Sequence, residues 1–169
     1  GTAWVGNFGF DLHAGADPVP ATLVRVAPDA SVHAAAEDLH FPNGTVLTPD
    51  ERTLIVAESF AGRLTAFDVD SARRLSRRRV WATLPQGAAP DGICLDADGA
   101  IWVASPTTAE VLRVHEGGEI THRIPTGRPA FAAMLVGDDL FVLTADASDP
   151  AACRANPTAS ILRMPAPWG

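Results

Sequence analysis

Short β-rich runs, each closed by a Gly, Pro or Asp cluster, set the pattern of this chain. Apolar and polar positions alternate with a period near two, and no stretch carries the wider period of an amphipathic helix. The pattern predicts fourteen strands, at 3–8, 22–26, 31–36, 45–48, 53–58, 63–68, 79–83, 93–96, 101–105, 110–115, 119–124, 132–136, 140–144 and 160–164. Turn chemistry separates them at Pro28-Asp29, Pro49-Asp50, Asp98-Gly99, Gly117-Gly118 and Gly137-Asp138-Asp139. Two longer irregular segments, 9–21 and 145–159, interrupt the alternation. Loops of that length in a compact domain are either binding loops or plain surface excursions.

One unit recurs. Pro42-Asn43-Gly44 followed by Leu54-Ile55-Val56-Ala57 returns as Pro90-Asp91-Gly92 followed by Ile101-Trp102-Val103-Ala104. A more eroded copy starts at Pro129-Ala130 and continues to Leu140-Phe141-Val142-Leu143. Val56 and Val103 are 47 residues apart, Val103 and Val142 39. A period of about 40–45 residues built from short strands is the signature of propeller blades. The expected fold class is therefore all-β, a β-propeller. Fourteen strands at four per blade make about three and a half blades. The first run matches the second strand of a blade, so residues 1–169 read as the C-terminal part of a larger propeller whose N-terminal blades are missing. The polar slot of the repeat varies as Asn43, Asp91 and Ala130 while the apolar strands persist.

Composition narrows the partners. Hydrophobic residues at 47% and charged ones at 20% describe a folded chain rather than a disordered one. A net charge of −7 argues against nucleic acid as a partner, and no apolar run is long enough to span a bilayer as a helix. The cluster Arg73, Arg74, Arg77, Arg78 and Arg79 lies between two strand patterns and reads as a solvated hairpin. Cys94 alternates with apolar residues as a small core residue, and Cys153 lies in a polar loop. Two cysteines 59 apart make neither a disulfide framework nor a zinc site, so reduced thiols and a cytoplasmic location are expected.

Taken singly, Pro-Asn-Gly and Pro-Asp-Gly are ordinary turn sequences. Together they gain weight, because the first strand of every blade lines the central channel. An amide oxygen and a carboxylate converging there suit one hard divalent cation, Ca²⁺, Mg²⁺, Mn²⁺ or Zn²⁺. Glu58 and Ser105 end equivalent second strands and are possible pocket residues, with exposed strand ends as the plainer reading. His40, three residues before Asn43, is a weaker pocket candidate. Asp96-Ala97-Asp98-Gly99 lacks the frame of a calcium loop and reads as a β-turn. No Gly-x-Ser-x-Gly elbow and no phosphate loop is present.

Phe41-Pro42-Asn43-Gly44, Ala57-Glu58-Ser59, Ala66-Phe67-Asp68, Pro90-Asp91-Gly92-Ile93-Cys94-Leu95-Asp96, Ile101-Trp102-Val103-Ala104 and Trp4-Val5-Gly6-Asn7 occur in a characteristic order. In this the chain resembles the SMP-30/gluconolactonase/luciferin-regenerating-enzyme family over nearly its whole length. The resemblance implies a six-bladed propeller with one catalytic divalent metal ion at the channel mouth, and a small sugar-derived lactone as substrate. It implies Asn43 and Asp91 as metal ligands and Asp91 as possible general base. The family's third ligand, a Glu, and its substrate-positioning Arg and Asn belong to segments without a counterpart in this sequence. The expectation is thus a lactonase-type hydrolase. A non-catalytic propeller that binds small molecules or proteins on its channel face is the alternative, with a strictosidine-synthase-like enzyme behind it.

Overall fold

The structure is a computed structural model that describes residues 1–167. Its strands are β1 (Ala3–Val5), β2 (Ala21–Val26), β3 (Val32–Leu39), β4 (Pro42–Leu47), β5 (Thr53–Glu58), β6 (Arg63–Val69), β7 (Leu75–Thr83), β8 (Ile93–Leu95), β9 (Ile101–Ser105), β10 (Glu110–Val114), β11 (Ile120–Pro125), β12 (Ala130–Val136), β13 (Asp139–Thr144) and β14 (Ser160–Pro165). Each overlaps one expected strand. They form four antiparallel sheets in chain order, β1–β3, β4–β7, β8–β11 and β12–β14, which we number blades 1 to 4. The first and last have three strands and the middle two have four.

Burial explains why the sheets stack. The two central strands of each middle blade bury both faces, so β5 and β9 read as continuous apolar runs rather than alternating ones. One apolar cluster fills each gap between neighbouring blades. Leu23, Leu39, Leu54, Val56 and Phe67 lie between blades 1 and 2. Ile55, Leu64, Trp81, Ile101 and Leu112 lie between blades 2 and 3. Cys94, Trp102, Val111, Leu140 and Val142 lie between blades 3 and 4. Each fully buried Leu or Ile there contributes about 1.5–3 kcal/mol, so the stack is held mainly by these three seams. On the two outer faces Val32 and Ile161 stay 65% and 68% exposed.

The inner strands are also joined to each other by backbone. Gly44 donates its N–H to Asp91 O at 3.0 Å, and Gly92 donates to Phe131 O at 2.9 Å. A Cβ on Gly44 would stand 2.4 Å from Asp91 O, and one on Gly92 2.7 Å from Ala132 Cα. Only glycine permits these approaches. Pro-Asn-Gly is therefore no turn: Asn43 lies within β4, at a register shift between Pro42 and Thr45. That bulge re-aims the Asn43 side chain.

One element was not expected. Helix α1 (Pro150–Ala155) lies in the second irregular segment, with Asp149 as N-cap accepting from Ala152 N at 2.8 Å and Pro150 in its first turn. It buries none of its residues, so it has no apolar stripe to announce it. Cys153 is exposed on this helix and not in a plain loop, and both cysteines are free.

Candidate functional site

The bulges of β4 and the segment before β8 bring Asn43 and Asp91 together. The two side chains are neighbours, near enough for the Asn43 amide to oppose the rise in the Asp91 pKa, and they share a cavity of about 560 Å³. Asn43 Nδ2 also points at Ser59 Oγ, 3.4 Å away, and Ser59 Oγ donates in turn to Pro90 O at 2.6 Å. Ser59 begins the short 3₁₀ turn after β5. Blade 2 thus supplies the amide and the group that orients it, and blade 3 supplies the acid.

Desolvation dominates at Asp91. Its carboxyl is half-buried, and burial pushes its pKa up from 3.8 to about 6, with only partial offset from the Asn43 amide and the Gly92 N–H. No cationic side chain is among the groups that perturb it. An acid held in this way is one that a cation would stabilise, and amide and carboxylate oxygens are ligands of the hard divalent type. The two residues fit a metal on that ground. Among the described residues no group of three or more His, Cys, Asp or Glu side chains could hold one, so water or residues outside this chain would fill the remaining positions.

The third slot holds a different residue from the expected one. Pairing of Ala133 with Val142 and of Ala130 with Thr144 makes Ala130 the counterpart of Pro42 and Pro90. Phe131, at the β12 register shift, is the counterpart of Asn43 and Asp91 and lines the cavity. Aligning the copies on Pro129 hid this by one residue.

Glu58 does not line the cavity. It is fully buried, and its carboxylate accepts from Arg63 Nε (2.9 Å), Thr65 Oγ1, His40 N (2.8 Å) and Arg78 Nη2 (3.3 Å). Burial pushes its pKa up, but the Arg63, Thr65 and His40 hydrogen bonds outweigh that and hold it below 4.5. Ser105 is likewise fully buried, accepting from Ala89 N at 3.2 Å and from Thr108 Oγ1 at 2.8 Å. The counterpart in blade 4, Thr144, is buried against Ser160. These strand-end side chains are buried and hydrogen-bonded mainly within their own blades. His40 has an exposed side chain and joins the Glu58 cluster only through its backbone.

The arginine cluster is a hairpin, as expected, and an extensively paired one. Arg74 meets Asp70 at 2.8 Å, Arg77 and Arg79 meet Asp68 at 3.2 and 2.7 Å, and Arg73 pairs with Glu51. Both irregular segments reach the cavity, Leu12 and His13 from the first and Asp146, Ala147 and Ser148 from the second. His13 and Asp149 bring the two loops within 3.9 Å.

Comparison with known proteins agrees with a β-propeller. The family model described as the SMP-30/gluconolactonase/LRE-like region matches residues 1–146, and the chain belongs to this family. Regucalcin of Danio rerio is 32% identical over 116 residues, which are 68% of this chain and 39% of the relative. The chain spans about a third to two fifths of the length of the curated regucalcins it matches. Among solved structures, a gluconolactonase of Xanthomonas campestris is 31% identical with a TM-score of 0.66, over 78% of this chain and 44% of that one. A luciferin-regenerating enzyme superposes with a TM-score of 0.80 over 96% of this chain and 57% of its own, at 20% identity, a likeness of fold.

Proposed function

We propose that this chain carries the ligand and general-base half of a metal-dependent lactonase, which opens a small cyclic ester of the sugar-derived kind implied by the family. The observation that supports it most is the contact between Asn43 and Asp91 at the inner strands, with an acid whose pKa of about 6 has no cationic side chain to lower it.

Asn43 and Asp91 would hold the ion, Asn43 through its amide oxygen. When bound, a divalent cation polarises an ester carbonyl and makes water more acidic. Without an ion the Asp91 carboxyl has a pKa of about 6, and a bound cation would lower it, so the group would meet the substrate as a carboxylate able to accept a proton. Asp91 removes a proton from water as the water oxygen bonds to the acyl carbon. It then returns that proton to the ring oxygen as the C–O bond breaks, leaving a hydroxy acid. Ser59 keeps the Asn43 amide turned toward this acid. The exclusion of bulk water by the two loops would keep the acid desolvated.

The test is proton release from a lactone by the full-length protein with Ca²⁺, Mg²⁺, Mn²⁺ or Zn²⁺ added in turn. Turnover that needs a cation and disappears in Asp91→Ala is the expected outcome. Binding without turnover would favour the non-catalytic propeller.

A further inference from the structure

The cavity beside Asp91 has an aromatic wall that offers an apolar face to a substituent on the substrate ring. Phe8 and Phe41 stack with ring centroids 4.3 Å apart and planes 13° apart, and Phe41 and Phe60 stack at 4.7 Å and 18°. Phe10 tilts against the ladder, 6.0 Å from Phe41 and 5.6 Å from Phe60. The rings come from separate segments: the loop after β1, the turn before β4 and the 3₁₀ turn after β5. Two backbone bonds lock the last two together, Ser59 N to Phe41 O at 3.1 Å and Phe60 N to His40 O at 3.3 Å. Phe41 holds a φ of 59°, a conformation that bulky residues rarely adopt. Strain of this kind persists where the surroundings over-determine it, and it clusters at ligand sites.

The ladder is open to water at its two ends. Phe8 is 41% exposed and Phe60 49%, Phe41 between them is buried, and all three line the cavity together with Phe131 and Leu12. Stacked rings left in solvent along a concave site have the form of an apolar ligand surface. Polar groups line the cavity too, Asn43, Asp91 and Asp146 among them, while the hydroxyls of Ser59 and Thr107 are already donated to Pro90 O and Gly87 O.

We propose that Phe8, Phe41 and Phe60 form a specificity subsite for an aryl or alkyl substituent on the substrate ring. The site then prefers apolar lactones to polyhydroxylated ones. This rests on the lactonase reading above and puts an apolar lactone in place of the sugar-derived substrate named there.

The experiment separates the two. Calorimetry on the full-length protein compares 5-phenyl-2-pyrrolidinone, an amide counterpart of a phenyl-substituted lactone, with unsubstituted 2-pyrrolidinone. The phenyl compound should bind at least about tenfold more tightly, the scale on which apolar pockets discriminate. Phe60→Ser should erase most of that difference. Phe60→Leu, which keeps the bulk and loses the stacking face, carries the same comparison if the serine variant does not fold. Equal binding of the two compounds, or an unchanged difference in both variants, overturns the subsite. In turnover, a phenyl-substituted γ-lactone should exceed a polyhydroxylated lactone in kcat/KM by a similar factor, and the reverse order overturns the preference. Tight, Phe60-dependent binding with no lactone opened by any cation upholds the subsite and defeats the lactonase reading.

Discussion

Glu58 and Asp91 are two acids at neighbouring inner ends of blades 2 and 3, and their surroundings push them in opposite directions. Glu58 lies wholly out of water, yet Arg63, Arg78, Thr65 and the His40 N–H surround it, and its pKa falls. Asp91 keeps partial access to the cavity, meets only an amide and one backbone N–H, and its pKa rises to about 6. An acid whose charge is answered within the protein is a fastener. One whose charge is left unanswered beside a cavity is available to a ligand.

The largest effect should come from removing the fastener. Glu58→Ala leaves Arg63 and Thr65 without their acceptor, and urea unfolding should show a loss of about 3–5 kcal/mol. An unchanged midpoint would mean that the cluster is not what holds these strand ends. Asp91→Asn should instead spare stability and lower lactone opening by about 100-fold or more, the scale of a general base. Equal loss of folding in both variants would erase the distinction.

Acidity sharpens it further. Between about pH 3.8 and 6 the folded, cation-free chain keeps the Asp91 proton that the unfolded chain releases. The native state binds more protons in that window, so Asp91 makes stability fall as pH rises through it. Thermal melts of wild type and Asp91→Asn should therefore diverge upward through this range, with the variant the more stable at pH 7. Glu58 has the reverse sign, because its pKa is lowered from 4.5. Its contribution is complete above pH 4.5 and is lost as the pH falls below that. The smallest effect belongs to the surface. Arg79→Ala breaks a solvated pair with Asp68 and should change stability by less than about 1 kcal/mol, read by the same melts.

The strands were legible because apolar residues alternate within sharply punctuated runs, and the blades because the runs recur. What escaped depended on contacts that a linear pattern does not carry. Glu58 reads as a strand end, since its partners His40 and Arg78 are 18 and 20 residues away and meet it only after two strands pair. Helix α1 is capped by Asp149 and buries nothing, so it leaves no periodic trace. Phe131 was hidden by Pro129, which drew the third copy one position out of register. The ladder of Phe8, Phe41 and Phe60 brings together three loops with no common motif.

The glycine-mediated stitching of inner strands has an implication for redesign. Because main chain meets main chain at Gly44 and Gly92, the blades are indexed independently of whatever side chain occupies the preceding position. Those positions behave as interchangeable sockets, and nature has plugged in an amide, an acid and a benzyl group. Fitting an acid into the socket of Phe131 would set a third oxygen-bearing side chain beside Asn43 and Asp91 while the backbone stitching stays unaltered.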